Sequence, residues 1–267
     1  MCTIVILRRP NHSWPLILGA NRDENRDRPW RAPARHWPDR EDVTAGLDEL
    51  GGGTWLGVND YGVVAGVLNR PATLGPAPDK RSRGELPLEA LDHAEACTAA
   101  EALAHLDPAA YRPFNMLIAD AREAFWIAAR AGERRVQVAS IGEGLSMLTA
   151  HDLNDDAGSA RQRHYRPKFK STPPPDPDTG DWQSWQDLLE CPQTAPDGAP
   201  ESAMLIQTKT GFATTSSSLI ALPQPGTPEA ATVWRFRGGF PGEAIWCAID
   251  DLTNPLKTSL AAPVEAS

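Results

Sequence analysis

The residue with the clearest chemical potential is Cys2, which follows Met1. Methionine aminopeptidase removes an initiator Met when the next residue is small, so we expect a mature chain that begins at Cys2. That residue would carry both a thiol and an α-amine, whose pKa of about 7.7–8.0 lies near neutrality. A terminal amine can serve as the base for its own side chain. The pair predicts a nucleophile for acyl transfer; the alternative is a small buried thiol, as most free cysteines are.

A second group of reactive side chains is the tetrad Asn21-Arg22-Asp23-Glu24. It directly follows the apolar segment 16–20, and it would lie at the same sheet edge as Cys2 if the first two strands form a hairpin. An arginine there would lower the pKa of the thiol, and a carboxylate could bind the new ammonium group. The alternative is a charged, solvated loop that continues through Arg28.

Two further segments combine permissive backbone with polar side chains. The stretch 51–59, Gly-Gly-Gly-Thr-Trp-Leu-Gly-Val-Asn, would let the backbone approach a ligand closely or present N–H groups to it. It is not a P-loop, because no Gly-Lys-Ser/Thr follows. Asn69 ends the apolar run 66–68 and could donate to a developing oxyanion. A turn-forming Asn ahead of Pro71 is the equal alternative.

The elements that must position these residues are strands at both ends of the chain with helices between and after them. Strands are predicted at 3–7, 16–20, 54–58, 63–68, 115–119, 124–127, 135–140, 146–150, 211–222, 232–237 and 243–249. Helices are predicted within 84–106, where Thr98 is the expected N-cap of the second of two, and at 159–168 and 182–189. The proline-rich run 171–180 is expected to be a surface loop. This order suits two sheets sandwiched between helices, or one sheet with helices on one side.

Composition excludes several classes of partner. A net charge of −9 and a pI near 5.2 argue against nucleic acid or an anionic membrane surface. No run is long enough to span a membrane, and 1–7 is too short for a signal peptide, so we expect a cytoplasmic protein. The cysteines and histidines lack metal-ligand spacing, so no metal and no other cofactor is expected. A single domain over 1–267 is the prediction.

Four motifs occur in an order that resembles a known family: Met-Cys-Thr-Ile at 1–4, Asn-Arg-Asp-Glu at 21–24, Gly-Gly-Thr-Trp-Leu-Gly at 52–57 and Arg-Gly-Glu-Leu at 83–86. Together they resemble the NRDE family, which includes the transport and Golgi organisation protein 2 group. That family looks like a branch of the N-terminal-nucleophile (Ntn) hydrolases. The resemblance therefore implies an α+β fold, a four-layer αββα sandwich. It is strong over the first hundred residues and looser beyond them.

The resemblance extends to two enzyme groups, the choloylglycine hydrolases and the penicillin V acylases. They share a Cys at position two, an Asp after the second strand, an Asn-x-x-Gly hairpin and a Leu-Asn-x-Pro strand end, the last two found here at 59–62 and 68–71. This implies that Cys2 is the nucleophile, that Asp23 binds the α-amine and that Asn69 belongs to the oxyanion hole. Arg22 would be a fourth catalytic residue or a structural one, since the acylases place their arginine where this chain has Ala20. Substrate contacts are expected from Asn21, Glu24, Trp55, Asn59 and His151.

Two departures from the acylases weaken the case for efficient amide hydrolysis more than the case for the fold. The acylases carry a second oxyanion-type Asn in a Leu-Thr-Asn stretch, where this chain has Ala150; His151, Asp152 or Asn154 could replace it. Many relatives also have an arginine in a Tyr-Gly-Thr-Arg strand start. The corresponding segment of this chain, 211–215, reads Gly-Phe-Ala-Thr-Thr, and the arginine is expected near Thr215.

Three functions are compatible with these residues. The leading hypothesis is a hydrolase that cleaves a non-peptide C–N bond in a small acyl or hydrophobic ligand. The second, which family membership would imply, is a non-catalytic haem or lipid/acyl-CoA binding or trafficking protein. Cys191-Pro192 is a weak haem-regulatory pattern that also fits an ordinary helix stop. In the third, Cys2 and the tetrad only build a turn.

Overall fold

The computed structural model describes residues 2–196, 198–227, 230–239, 245–250 and 252. The strands of this part of the chain are β1 (Thr3–Arg8), β2 (Leu16–Asn25), β3 (Trp30–Ala34), β4 (Val43–Asp48), β5 (Leu56–Asn59), β6 (Val64–Asn69), β7 (Phe114–Ala119), β8 (Ala124–Ala129), β9 (Gln137–Ser140), β10 (Gly144–Leu148), β11 (Phe212–Leu222), β12 (Val233–Gly238) and β13 (Cys247–Ala248). The α-helices are α1 (Glu85–Leu91), α2 (Ala96–Leu103), α3 (Ala160–Ser171) and α4 (Gln183–Leu189). Among the residues described, no helix has the length and apolar character that crossing a membrane requires.

Two antiparallel sheets face each other across the main core. The first sheet has the strand order β10-β1-β2-β11-β12-β13, and the second has the order β3-β4-β5-β6-β7-β8-β9. Apolar side chains from both sheets, such as Ile4, Leu18, Leu56 and Leu117, fill the space between them. Helices α1 and α2 cover the outer face of the second sheet, and α3 and α4 cover that of the first. The predicted αββα sandwich is confirmed, and the one-sheet arrangement is excluded.

Strand β2 is longer than the apolar pattern predicts. Residues Asn21 to Glu24 lie inside this strand and do not follow it. The reason is β11, which pairs with β2 from Leu16↔Leu222 to Asn25↔Phe212 and so satisfies its backbone groups along the whole tetrad. On its other side β2 pairs with β1, with Thr3 opposite Asn21, so the expected hairpin brings Cys2 to the tetrad.

The predicted helical segment 84–106 forms two helices as expected, but the second helix begins at a different residue from the one predicted. Thr98 is not the N-cap of α2: it lies inside the helix, and Glu95 is the extended residue before it. The carboxylate of Asp120, from the β7–β8 turn, accepts a hydrogen bond from the Ala96 amide at 2.9 Å. A cap supplied from another element sets this helix start, which local sequence cannot reveal. Helix α3 starts as predicted after Ser159, whose hydroxyl accepts from the Gln162 amide.

Strands β3 and β4 were not predicted from the sequence, and the remaining elements lie close to their predicted positions. The run 171–180 follows α3 as a loop, and its regular pairing is limited to an isolated bridge between Asp176 and Asp181. The last predicted strand, 243–249, is seen at Cys247–Ala248, and residues 243–244 lie outside the described part.

Candidate active site

The alternation of a β-strand divides the tetrad into two pairs. Successive side chains of a strand point to opposite faces of the sheet. Arg22 and Glu24 therefore point into a cavity at the edge of the sandwich, and both line it. Asn21 and Asp23 point the other way, into the layer of α3 and α4, where both are buried. The four side chains act in two separate environments.

Cys2 directly precedes β1 and faces the cavity beside Arg22. Its Sγ accepts a hydrogen bond from the Asp23 amide at 3.4 Å and lies 3.6 Å from the Asp23 carbonyl oxygen. Burial raises the pKa of the Cys2 thiol above its ordinary value, and the negative charge of Asp23 raises it further. Arg22 acts in the opposite direction but is outweighed, so the expected lowering of the thiol pKa does not occur. The thiol is protonated at neutral pH and needs a base to become a nucleophile.

The cavity has a volume of about 370 Å³. Its walls come from β2, from the glycine-rich loop before β5, from the end of β6 and from the loops before α1 and β7. Small-molecule sites commonly measure about 300–1,000 Å³, so the volume fits a small ligand. Four of the predicted residues besides Cys2 line it: Arg22, Glu24, Trp55 and Asn69.

Arg22 links the two sheets at the floor of this cavity. Its guanidinium lies over the ring of Trp55, 4.4 Å from the centroid, and donates to the Thr215 hydroxyl at 3.1 Å. It also forms an ion pair of 3.2 Å with Asp48 of β4, which Arg28 holds through two hydrogen bonds of 2.6 and 2.9 Å. Arg22 is thus fixed by stacking and by charge, and Asp48 compensates two arginines at once.

Asp23 belongs to a buried polar cluster behind Cys2. Its carboxylate accepts from Arg161 of α3 at 3.0 Å and from the Thr214 hydroxyl of β11 at 2.6 Å. Arg161 also donates to the Thr3 hydroxyl at 2.6 Å. The cluster holds the Asp23 backbone, which contacts the Cys2 sulfur, in one place. A carboxylate so placed could receive an ammonium group on the neighbouring chain terminus.

Asn69 ends β6 on the opposite wall of the cavity. Its side chain is half-buried and makes no hydrogen bond to the residues that the structure describes. An amide with unused N–H groups facing a cavity can donate to a ligand oxygen.

Three predicted substrate contacts lie elsewhere. Asn21 donates to the carbonyls of Leu189 and Met204, both at 2.9 Å, and ties β2 to the end of α4. Asn59 is buried in the β5–β6 hairpin, where it donates to the Leu91 carbonyl at 2.8 Å and accepts from backbone amides of its own turn. His151 does not line the cavity either. Asn21 and Asn59 are thus held by backbone groups of the framework, and none of the three lines this cavity.

The residues expected to replace the missing acylase groups are also engaged elsewhere. Asp152 accepts from Arg70 and Arg130 at 2.7 Å each, and these hydrogen bonds keep its pKa below the ordinary value although burial opposes them. Asn154 caps the β10 edge through Ser146 and the Met147 amide. Near the position where many relatives have the strand-start arginine, the Thr215 hydroxyl accepts a hydrogen bond from the Arg22 guanidinium.

The two glycine-containing motifs meet beside the cavity. Gly53 packs against the backbone of Gly84, and a Cβ on Gly53 would lie 2.3 Å from the Gly84 carbonyl carbon. The Thr54 amide donates to the Gly84 oxygen at 2.8 Å. The close approach that the glycines permit is therefore between two loops of the chain, and it places Arg83 in the cavity wall.

Several site residues were not predicted from the sequence. They are Thr214 and Arg161 around Asp23, Asp48 beside Arg22, and the cations Lys80 and Arg112 in the cavity wall. The helix that contains Arg161 was predicted at 159–168, but the partner of Arg161, Asp23, is 138 residues away. Cys191, the haem candidate, packs beside the outer core that α3 and α4 cover, away from the cavity. No group of three metal-binding side chains exists within the described ranges.

Comparison with known proteins shows which family and which folds the chain resembles. The Transport and Golgi organisation 2 family pattern matches residues 1–226. The Transport and Golgi organization protein 2 homolog of Bos taurus is 38% identical over 133 residues, 45% of each chain. The homolog of Mus musculus is 40% identical over 93 residues, 32% of this chain and 33% of its own. The matched segments span less than half the length of these relatives.

Solved structures resemble the whole sandwich. The Caenorhabditis elegans ortholog of N-acylethanolamine-hydrolyzing acid amidase matches with a TM-score of 0.53 at 15% identity, over 85% of this chain and 94% of its own. A mutant conjugated bile acid hydrolase from Clostridium perfringens matches with a TM-score of 0.52 at 11% identity, over 94% and 93%. At such identities these matches establish the Ntn-hydrolase fold alone.

Proposed function

The chain belongs to the Transport and Golgi organisation 2 family, and on that premise we propose that it is an N-terminal cysteine-nucleophile hydrolase of a small amide substrate. The observation that carries the proposal is the position of the Cys2 thiol. It faces a cavity of ligand size, next to a buried carboxylate and opposite an amide side chain with free donors. Both structural relatives described above are named as hydrolases, which supports the same chemistry.

In the proposed reaction, removal of Met1 leaves an α-amine on Cys2, held as ammonium or amine beside Asp23. The amine accepts the thiol proton while Sγ forms a bond to the substrate carbonyl carbon. Asn69 donates to the oxyanion that develops. The C–N bond then breaks, the leaving amine takes the proton, and water hydrolyses the thioester to release the acid and restore the thiol. Arg22 and Trp55 form the floor on which the substrate lies.

Because the pKa of the Cys2 thiol is raised, the proposed reaction needs the α-amine of Cys2 as the base that accepts the thiol proton. A buried thiol that is protonated at neutral pH reacts slowly unless a base lies within reach, and an α-amine titrates at about 7.7–8.0. A chain in which Cys2 is not terminal keeps the thiol and lacks this base.

The test is acyl-adduct formation with p-nitrophenyl acetate, read by intact mass and peptide mapping. We expect one acetyl group on Cys2 of the processed chain and none in Cys2→Ser, with both proteins folded by circular dichroism. Asn69→Ala should slow adduct formation by about 10²–10³-fold, the usual loss for one oxyanion donor.

A matched control isolates the amine. The same chain with an uncleaved N-terminal extension retains Cys2 but not its α-amine, and it should form the adduct much more slowly. An adduct rate unchanged by Cys2→Ser, or by the extension, would refute the proposed mechanism.

A further inference from the structure

The cavity beside Cys2 has a positively charged wall in a chain whose net charge is −9. Lys80, Arg83 and Arg112 form this cationic wall. Their hydrogen bonds within the described residues all go to neutral oxygen atoms, namely backbone carbonyls and one threonine hydroxyl. Arg22 and Arg28, by contrast, share the carboxylate of Asp48. The three wall cations therefore have carbonyl support and form no ion pair with a carboxylate of the described residues, although Glu24 and Asp48 line the same cavity.

The carbonyls that hold the wall come mainly from the loop between β6 and α1. Arg112 donates to the Ala72 and Leu74 oxygens at 3.1 and 2.8 Å, and Arg83 donates to the Thr73 oxygen at 2.9 Å. The loop curls around them through left-handed backbone at Ala72 (φ 60°) and Gly75 (φ 82°). The guanidinium groups are thus fixed before any ligand arrives, which lowers the ordering cost of binding.

Arg83 of the wall lines the same cavity as Cys2. Burial lowers the pKa of Arg83 to about 10, Arg112 lowers it further, and the negative charge of Glu24 opposes them. Arg83 is still cationic at pH 7, so the wall carries positive charge that the protein compensates incompletely. A half-buried charge without a counter-charge is stabilised when an anion binds next to it.

We propose that the cationic wall binds an anionic group of the substrate, a carboxylate or a phosphate, while the carbonyl of the same molecule reaches Cys2. This inference rests on the proposed hydrolase function and narrows its substrate to acidic amides. Lys80 lies at the rim with two ammonium N–H groups to spare, since one of its three donates to the Ala109 carbonyl at 2.6 Å. Arg83 and Arg112 supply fixed charge deeper in the wall.

Alkylation of Cys2 by a matched pair of reagents tests the carboxylate arm. The Cys2 thiolate attacks the CH2 carbon of either iodoacetate or neutral iodoacetamide and displaces iodide, and the exposed Cys247 of the same molecule serves as reference in peptide mapping. Clefts of one charge sign raise local ligand concentrations and rates by about 10–10³-fold. We expect the iodoacetate-to-iodoacetamide rate ratio at Cys2 to exceed that at Cys247 by about tenfold.

Charge removal at matched lysines identifies the wall as the cause. Lys80→Met should reduce the normalised ratio at least about threefold, whereas Lys170→Met, which removes the same charge from the exposed side of α3, should leave it unchanged. Lys80 is exposed, so its replacement does not threaten folding.

Inorganic pyrophosphate tests the phosphate arm. It should bind the full chain in a calorimetric titration and slow alkylation of Cys2 by iodoacetamide, and both effects should weaken in Lys80→Met and persist in Lys170→Met. A Lys80-dependent effect in either arm supports the proposal and tells which anion the wall prefers. Absence of a Lys80-dependent effect in both arms overturns it. Neither arm needs turnover, so this failure is distinct from failure of the Cys2 acyl adduct.

Discussion

Arg161 and Asp23 form an ion pair that solvent hardly reaches, with side chains 2% and 0% exposed. Such a pair does not by itself make a protein more stable, because desolvation offsets the attraction. Its effect here is positional, since it holds the Asp23 carboxylate behind the Cys2 sulfur. Arg161 is therefore a positioning residue for the proposed chemistry, and it does not line the cavity.

Removal of one partner of this pair should be costly. We expect Arg161→Met to lower the free energy of unfolding by about 3–5 kcal/mol, because the buried Asp23 carboxylate loses its counter-charge. Urea denaturation measures the change. Lys170→Met, an exposed replacement on the same helix, should stay within about 0.5 kcal/mol of the parent. Equal stabilities for the two variants would contradict this account.

Among the elements, two loops define the mouth of the cavity by touching each other. The glycine-rich loop before β5 and the loop before α1 contact at Gly53 and Gly84, two motifs more than thirty residues apart in the chain. The contact sets where Arg83, the next residue back from Gly84, enters the wall. Local composition predicted flexible backbone at Gly53, but the partner that needs it is Gly84 and not a ligand.

A methyl group at this contact should push the loops apart. Gly53→Ala places Cβ against backbone that cannot move alone, and overpacking of this kind costs about 1–3 kcal/mol. We expect a lower Tm by calorimetry. Gly142→Ala is the control, because no atom lies within 4 Å of its added Cβ and its backbone is not left-handed. If the Tm of Gly53→Ala equals the Tm of Gly142→Ala and of the parent, the contact does not constrain the loops.

At the scale of the whole molecule, the outer helical layers stabilise the fold. The residues of the proposed reaction lie at the open edge of the sandwich. Trp185 of α4 is fully buried, packs edge-to-face on Phe169 at 5.2 Å and fits over Gly19 of β2. It touches none of the cavity-lining side chains of the same sheet, which project from the other face. A substitution in the outer helical layer should therefore lower the stability of the protein without changing the reactivity of Cys2.

Truncation of this side chain tests the separation. Trp185→Ala should lower the free energy of unfolding by about 3–5 kcal/mol, as large-to-small changes in cores do. Below the transition, the rate of Cys2 alkylation by iodoacetamide should match that of the parent. Tyr61→Ala, an exposed aromatic at 58% accessibility, is the control and should leave both quantities unchanged. A fall in alkylation rate of the folded Trp185→Ala protein would show that the layers are coupled.

The sequence by itself determined the strands other than β3 and β4, the β1–β2 hairpin that brings Cys2 to Asp23, and the family motifs. These follow from side-chain periodicity and from short chain connections, which act over a few residues. It also placed Arg22, Glu24, Trp55 and Asn69 in one cavity through the resemblance. It did not separate them from Asn21 and Asn59, because the face of a strand that meets the cavity depends on which sheet and helix cover it.

Only the tertiary structure decided the partners across the chain. Arg161 reaches Asp23 over 138 residues, and Asp120 caps α2 from a turn between strands. The cationic wall forms where the β6–α1 loop meets the loop before β7, although the chain is acidic overall. Carbonyls of the first loop hold Arg83 and Arg112, and the Ala109 carbonyl of the second loop holds Lys80. Such contacts depend on the packing of elements that are distant in sequence, and no local pattern specifies which distant side chain completes a charge or a hydrogen bond.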